Sequence, residues 1–218
     1  MKDERKRPGK PRQVAMVLAS AIAVAALTTS ASGCADGYHP REGDLVFHES
    51  KSAQSRLIQK ATNSRYSHVG IVHIEDGEPF VLEAIATVQS TPLDEWIERG
   101  VDGHIVVMRL KPEALPSGGV AAERVHRAAE PMIGVEYDWW FQWSNDRMYC
   151  SELVWKILRD GLGIEVGSRQ SLGAFELDDP EIAAEIEKRF GGEPHFDEPI
   201  VSPVAMLESE LLIEVYRN

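Results

Sequence analysis

Hydrophobic and polar positions alternate along much of the chain between residues 44 and 110. GDLVFHE alternates over Asp44–His48, and SHVGIVHIE and PFVLEAIATV are two runs rich in β-branched residues that an Asp-Gly turn separates. Period-two alternation is typical of strands, and Asp-Gly supplies the positive φ angles of a tight hairpin. DGHIVVMRLK predicts a further strand. The pattern therefore predicts a small, mostly antiparallel sheet.

Two stretches in the first half of the chain are predicted as helices and lie between the predicted strands. SKSAQSRLIQKATNS has apolar residues on one helical side, and Ser50 or Ser52 is suited to cap that helix. TPLDEWIERG predicts a short helix with Thr91 as its cap and Pro92 in its first turn. The predicted order is therefore strand, helix, hairpin, short helix and strand.

The second half of the chain is more helical. A helix is predicted from Val120 to Glu130, and DDPEIAAEIEKRF predicts another. The aromatic segment VEYDWWFQWSNDRM has no clear period and predicts a loop, and LLIEVYR predicts a final strand. CSELVWKILRDGLGI predicts a helix that Gly161 stops, with four residues on its apolar side: Leu153, Val154, Ile157 and Leu158. The whole pattern predicts an α+β domain.

The first 33 residues are typical of an export signal rather than of a folded domain. MKDERKRPGKPR carries six basic residues, and an uncharged run of 14 residues, Val14–Leu27, follows it. The sequence then reaches Ala31-Ser32-Gly33-Cys34, which resembles a bacterial lipobox with a lipidated cysteine, although leucine is usual at the place of Ala31. An ordinary cleaved signal or an uncleaved anchor is the alternative. We predict a lipoprotein signal peptide over 1–33, a tether over 34–42 and one catalytic domain over 43–218.

The predicted export of the chain and its net charge indicate where it is located and which kinds of partner it can bind. The chain is predicted to be held at the bacterial cell envelope by a lipid on Cys34, in the outer membrane facing the periplasm if the cell is Gram-negative, since Ala35 and not aspartate follows. The net charge is −12 although the leader is basic, which disfavours nucleic acid as a partner. The sequence has no zinc-type spacing, calcium loop or phosphate-binding glycine loop, so no metal or cofactor is predicted.

Cys150 is the second of two cysteines in the chain. If Cys34 is lipidated, Cys150 is an unpaired thiol in an oxidising compartment, which indicates a chemical role or deep burial. A helix N-terminus favours a thiolate, and a cysteine nucleophile also needs a base. Three of the seven histidines are predicted to be exposed: His39, His126 and His195. The other four are predicted to lie in or beside strands: His48, His68, His73 and His104. For each of them, a surface or core role is the alternative to catalysis.

Three stretches together resemble one enzyme family. SRYSHVGIV, FVLEA and MYCSELVW are similar to the permuted papain-like family of YiiX type, which is related to NlpC-type cell-wall peptidases and lecithin retinol acyltransferase-like enzymes. GDLVF, TPLDEWI, VVMRL, YDWWFQW and VSPVAML extend the resemblance over most of the chain. The histidine precedes the cysteine, as in the permuted group. The resemblance implies a circularly permuted papain-like (NlpC-type) α+β fold, with a small antiparallel sheet or half-barrel packed on the helix that bears the cysteine.

The resemblance also implies roles for individual residues. Cys150 is the nucleophile, His68 the general base and later acid, and Glu83 the third polar residue, which a hairpin would place across from His68. Tyr137-Asp138-Trp139 is similar to a Tyr-x-Trp of the unpermuted relatives, so Tyr137 is a candidate for oxyanion binding or the site wall. Gln54 is a further candidate wall residue.

The predicted function is a lipid-anchored thiol hydrolase of the cell envelope. It would cleave an amide or ester bond in a peptide, a peptidoglycan fragment or an acyl lipid through a cysteine thioester. Acyl-lipid hydrolysis or acyl transfer by the same fold is one alternative, suggested by the acyltransferase relatives. A non-catalytic envelope-binding lipoprotein is the alternative from another class, and the intact Cys, His and Glu set argues against it.

Overall fold

The computed structural model describes residues 37–116, 121–192 and 194–218, so the predicted signal peptide and Cys34 lie outside the described residues. In the described ranges, the strands are β1 Leu45–Ser50, β2 His68–Glu75, β3 Glu78–Ala84, β4 Val88–Pro92, β5 Gly100–Leu110, β6 Glu136–Tyr137, β7 Arg147–Met148, β8 Gln170–Ser171, β9 Pro199–Ile200 and β10 Leu212–Arg217. The helices are α1 Ala53–Thr62, α2 Leu93–Glu98, α3 Ala121–Ala129, α4 Cys150–Leu162, α5 Pro180–Phe190 and α6 Pro203–Leu207. A sheet with helices packed against it confirms the predicted α+β class.

The main sheet has six strands in the order β10-β5-β1-β2-β3-β4. Every neighbouring pair in it is antiparallel. Asp76 and Gly77 close the β2–β3 hairpin with positive φ angles of 52° and 88°. Two successive positive φ angles are typical of a type I′ turn, which suits the right-handed twist of the strands. The predicted antiparallel sheet and its Asp-Gly hairpin are therefore confirmed.

The segment after β3 differs from the prediction. The strand ends at Ala84, and the chain returns as β4, which pairs antiparallel with β3. Thr91 is therefore a strand residue, and α2 begins at Leu93 after Pro92 without a side-chain cap. The predicted Thr91 cap is wrong, because sheet pairing and a buried hydrogen-bond partner for the Thr91 hydroxyl outweigh the local preference of Thr-Pro for a helix start.

Helix α4 packs its apolar side against the sheet. The four residues predicted for that side are fully buried: Leu153, Val154, Ile157 and Leu158. Gly161 lies inside the helix at the point where α3 passes close by. A Cβ there would lie 2.8 Å from the carbonyl oxygen of Arg124, so the close approach of the two helices requires glycine. The helix ends one residue after Gly161, and Gly163 takes the left-handed conformation with φ 74°. The predicted stop at Gly161 is therefore wrong by two residues.

A second hydrophobic cluster contains α2 and the alternate residues of the central strands. Trp96 of α2 is fully buried in it together with Val46, Val72, Val81, Ile105 and Val107. Tyr38 belongs to the same cluster, stacks on Tyr216 with ring centroids 5.4 Å apart, and donates a hydrogen bond to Asp44 (2.8 Å). The segment predicted as a tether is thus packed on the domain at Tyr38.

Helix α1 begins with one of its two predicted caps, and α5 lies within its predicted segment. The Ser52 hydroxyl accepts from the Ser55 N–H at the start of α1, and Asp179 accepts from the Glu181 N–H at the start of α5. The predicted start of α3 at Val120 lies outside the described residues, and a 3₁₀ turn over Glu130–Met132 follows its end. In the three described ranges, no helix is long and apolar enough to cross a membrane.

Candidate active site

Cys150 is the first residue of α4, as the sequence predicts. Its side chain is buried, and burial by itself raises the pKa of a thiol. A hydrogen bond and the charge of His68 act in the opposite direction, as do the backbone N–H groups of Val69 and Ser151, and the net pKa of Cys150 is lowered. The first N–H groups of a helix have no partner within it, so this position also suits a negative sulfur.

His68 is the first residue of β2 and is 7 % exposed. Its Nε2 lies 2.7 Å from Oε2 of Glu83, and its ring is also hydrogen-bonded to Cys150. Burial lowers the pKa of His68, but the hydrogen bonds and charges of Cys150 and Glu83 outweigh burial and raise the pKa to about 9. The raised imidazole pKa and the lowered thiol pKa together favour a thiolate–imidazolium pair.

Glu83 is fully buried in β3, and both of its oxygens are engaged. Oε2 faces His68, while Oε1 accepts hydrogen bonds from the Thr91 hydroxyl (2.6 Å) and from the Arg99 guanidinium. Burial raises the pKa of Glu83, but His68, Thr91 and Arg99 lower it overall, which keeps the carboxylate ionised. The structure thus brings together the three residues predicted for the centre of the site.

Gly70 of β2 leaves space for the side chain of Val81 beside Glu83. A Cβ at Gly70 would lie 2.2 Å from Cγ1 of Val81 and 3.6 Å from Cβ of Glu83. Side chains two residues apart on a strand share a face, so this Cβ would lie on the face of His68. Glycine is therefore required here for close packing, which is a common reason for glycine within a strand.

His48 is a residue of the site that the sequence did not assign. It pairs with His68 across β1 and β2, the two rings are 5.2 Å apart, and Trp96 stacks on His48 at 3.9 Å. Burial, followed by the positive charge on His68, lowers the pKa of His48 to about 2. His48 is therefore neutral and forms, with Trp96, a wall beside His68. Its only signal in the sequence is its place in the alternating strand GDLVFHE.

Tyr137 and Gln54, the two predicted wall residues, lie together near Cys150. The Gln54 side chain donates to the Tyr137 hydroxyl at 3.5 Å and accepts from the Arg189 guanidinium at 2.8 Å. Burial, followed by the charge of Cys150, raises the pKa of Tyr137 well above its usual range. The phenol is therefore protonated and has a hydroxyl proton to donate.

The aromatic segment after Tyr137 is ordered by Asp138. Its carboxylate accepts from the backbone N–H groups of Trp140 (2.9 Å) and Gln142 (2.5 Å), which folds the segment into a turn. Phe141 has a positive φ of 54°, and its ring packs edge-on against Tyr149, the residue before Cys150. The predicted loop is thus a fixed wall with two short strands, β6 and β7, at its ends.

An apolar pocket opens beside Cys150. Its cavity volume is about 120 Å³, and its mouth is open to solvent. Its apolar lining comes mainly from α1, α5 and the segments around residues 172–177 and 200–203: Leu57, Ile58, Ala61, Leu172, Phe175, Leu177, Ile182, Ile186, Phe190, Ile200, Val201 and Pro203. Gln54 and Arg189 line the same pocket and are polar. A long apolar group attached to a reacting carbonyl therefore has a place to bind.

The fold and the site define a class of protein before any relative is considered. An antiparallel sheet packed on a helix that begins with cysteine, with the histidine on an earlier strand, is the permuted papain-like arrangement. The family model described as "permuted papain-like amidase enzyme, YaeF/YiiX, C92 family" matches residues 39–216. The chain belongs to this family, whose members are cysteine hydrolases. The predicted family and fold are therefore confirmed.

Two relatives from Escherichia coli support the assignment. Uncharacterized protein YiiX of strain K12 is 39 % identical over 184 residues, which cover 83 % of this chain and 88 % of the relative. A crystal structure titled as the metalloprotein yiiX from strain O157:H7 matches with a TM-score of 0.79 and 37 % identity, over 83 % of this chain and 99 % of that one. Among the described residues of the present chain, no group of three or more His, Cys, Asp or Glu side chains is placed to hold a metal ion.

Proposed function

We propose that this protein is a lipid-anchored thiol hydrolase of the bacterial cell envelope that cleaves an amide bond through a thioester on Cys150. The observation that supports this most is the hydrogen-bonded row of Cys150, His68 and Glu83, in which the thiol pKa is lowered and the imidazole pKa is raised. A reactive cysteine needs this electropositive setting, and a cysteine that serves only in a core does not. Membership of an amidase family supports the choice of bond.

The proposed reaction has two halves. The Cys150 thiolate attacks the carbonyl carbon, and the oxyanion receives hydrogen bonds from the backbone N–H of Cys150 and the hydroxyl of Tyr137. His68 gives its proton to the leaving amine as the C–N bond breaks, which leaves a thioester. His68 then takes a proton from water, the resulting hydroxide attacks the thioester, and the acid departs as the thiolate and imidazolium form again.

Acyl-lipid chemistry is the second candidate, and the apolar pocket beside Cys150 favours it. The pocket is lined mostly by apolar side chains from α1, α5 and the segments around residues 172–177 and 200–203, which suits a fatty acyl chain on the carbonyl side of the scissile bond. The same nucleophile and base would serve a hydrolase or a transferase, because the acceptor of the acyl group decides between them. Both candidates therefore predict the same dependence on Cys150 and differ in the preferred acyl group.

The substrate class is tested with N-acyl amides that differ only in acyl length, from acetyl to palmitoyl, and with peptidoglycan fragments. Release of the amine by the full-length protein in detergent is expected to disappear in Cys150→Ala. If the pocket binds an acyl chain, long chains react faster, and Ile186→Trp lowers the rate on palmitoyl amides by roughly tenfold without affecting acetyl amides. Ile133→Trp is the matched control, because Ile133 is exposed and lies outside the pocket.

The outcomes separate the candidates. Equal rates for all acyl lengths, unaffected by Ile186→Trp, would remove the acyl-lipid candidate. Release of amine that persists in Cys150→Ala would contradict the proposed hydrolase. Absence of both amine release and thiol reactivity would leave the non-catalytic envelope-binding lipoprotein as the better explanation.

Anchoring by Cys34 is a separate part of the proposal, and it rests on the resemblance of residues 31–34 to a lipobox. Cells that express the full chain are expected to incorporate a clickable fatty acid analogue into it. Cys34→Ala is expected to abolish the label, and Cys150→Ala is expected to keep it. Labelling that survives Cys34→Ala would contradict the anchor and would favour an ordinary signal peptide or an uncleaved anchor.

A further inference from the structure

Glu83 lies between two cationic groups, and the proposed mechanism uses only one of them. Oε2 is bound by His68, whereas Oε1 is bound by the Arg99 guanidinium and the Thr91 hydroxyl. The Glu83 side chain is fully buried, and that of Arg99 is 38 % exposed, so the guanidinium reaches the carboxylate from the solvent side. A buried carboxylate with two ionic partners divides its hydrogen-bonding capacity between them.

We propose that Arg99 is a positioning residue that fixes the Glu83 carboxylate and weakens its attraction for the His68 imidazolium. The inference rests on the proposed function, since it concerns the histidine of the same site. Among the described residues, the Arg99 side chain has no hydrogen bond to His68 or Cys150, and its bond to the site is the one to Glu83.

The fold delivers Arg99 to this place by a short, well-anchored segment. β4 carries Thr91, α2 follows at once, and Arg99 is the residue that ends α2, where its backbone N–H donates to the carbonyl of Glu95. Trp96 of α2 is fully buried against the ring of His48. One segment, 91–99, therefore supplies both groups that hold Oε1 and also the ring that supports His48.

The charges around His68 determine the direction in which its pKa is expected to change when Arg99 is replaced. Cys150 of α4 and Glu83 of β3 are the negative partners of the imidazolium. His48 of β1 is neutral, and Arg99 is the cation on the far side of Glu83. Lys51 is a further cation on this side, and its ammonium bonds the Glu98 carbonyl rather than Glu83. Removing the Arg99 charge therefore leaves His68 as the cationic partner of Glu83, while Thr91 still donates to Oε1, and this stabilises the imidazolium and raises the pKa of His68.

Arg99→Met is expected to lower turnover and to raise the pKa of His68. Turnover falls by roughly threefold to tenfold because Glu83 loses one of its fixed partners, an effect of the size that a supporting contact of a catalytic group has. At the same time, the alkaline limb of kcat/KM and the pKa of His68 move upward by about half to one pH unit. A residue with a structural role only would lower turnover without moving the limb.

The experiment measures kcat/KM against pH and the titration of the His68 ring by NMR on isotope-labelled full-length protein, with His68→Ala used to assign the signal. Arg99→Lys retains the charge and is expected to retain the His68 pKa. Lys51→Met, the matched removal of a nearby cation that does not touch Glu83, is expected to leave both readouts unchanged.

An unmoved His68 pKa in Arg99→Met would overturn the inference, and so would the same shift in Arg99→Lys. The NMR titration does not depend on turnover. If the proposed function is wrong, the protein shows no hydrolysis that depends on His68. If only the role of Arg99 is wrong, the pKa of His68 stays unchanged in Arg99→Met, so the two failures are distinguishable.

Discussion

Replacing His68 by alanine is expected to lower amide hydrolysis on the order of 10³-fold or more, because one side chain serves as proton donor to the leaving amine and as base toward water. The variant also removes the cation that stabilises the Cys150 thiolate. Burial then acts against the backbone N–H groups of Val69 and Ser151 alone, and the pKa of Cys150 is expected to rise.

The pH dependence identifies the cause of this loss. The pKa of His68 is raised to about 9, so the imidazolium persists through neutral pH and is lost as the pH passes about 9. The pKa of Cys150 is lowered, so the thiolate forms at a lower pH than that of an ordinary cysteine. The rate at which the wild-type protein reacts with iodoacetamide is therefore expected to depend less on pH than the rate of a thiol without this partner. In His68→Ala, the rate is expected to rise steadily with pH.

At pH 7 the alkylation rate of His68→Ala is expected to be lower by roughly tenfold to a hundredfold, since the smaller thiolate fraction is partly offset by the greater nucleophilicity of a more basic thiolate. His73→Ala on the same strand is the control, because His73 bonds the exposed Ser90 and lies away from Cys150. Superimposable pH profiles for the wild type and His68→Ala would refute the activated thiolate.

The elements that carry the centre of the site were predictable because local patterns indicate them, whereas the choice of the three residues came from the resemblance to the permuted papain-like family. The apolar stripe of α4 predicts the helix that Cys150 begins, the β-branched run predicts the strand of His68, and the Asp-Gly hairpin brings the strand of Glu83 back beside β2. Each of these signals spans fewer than twenty residues, which is the range in which periodicity and turn chemistry are informative.

The supporting residues could not be predicted because tertiary pairing places them. Thr91 looks like a helix cap in the sequence, and only the β3–β4 pairing turns its hydroxyl toward Glu83. His48 meets His68 through the register of β1 and β2. The pocket needs α5 to lie on α1, and the Arg189–Gln54 hydrogen bond joins residues 135 positions apart. No local pattern encodes such a contact.

Lys156→Met is expected to be the most destabilising substitution near the nucleophile that leaves the catalytic residues intact. The ammonium of Lys156 lies 2.7 Å from Oε1 of Glu152, and both side chains are buried. Lys156 also donates to the Ser144 carbonyl and to Asn145 (3.0 Å). Removing one partner of a buried ion pair costs about 3–5 kcal/mol, because the other charge is left without compensation.

The loss is expected to depend on pH in a definite direction. Burial raises the pKa of Glu152 to about 7 even with Lys156 present. A carboxyl with a raised folded-state pKa contributes its stability below its unfolded-state pKa and loses it as the pH rises through the folded-state value. Without Lys156 the folded-state pKa rises further. The cost of Lys156→Met is therefore expected to be larger at pH 8 than at pH 5, where Glu152 is protonated with or without Lys156.

Urea unfolding at pH 5 and pH 8 measures this difference, and two variants test its cause. Glu152→Gln/Lys156→Met removes both charges and is expected to recover much of the stability lost at pH 8. Lys188→Met breaks the exposed pair with Glu185 and is expected to change the free energy of unfolding by less than about 1 kcal/mol. An equal loss at both pH values that the double variant does not relieve would show that the effect comes from packing of the lysine stem rather than from charge.

Glu152 also accepts a hydrogen bond from the N–H of Tyr149, the residue before Cys150. A loss confined to high pH would therefore mean that the ion pair stabilises the turn that carries the nucleophile.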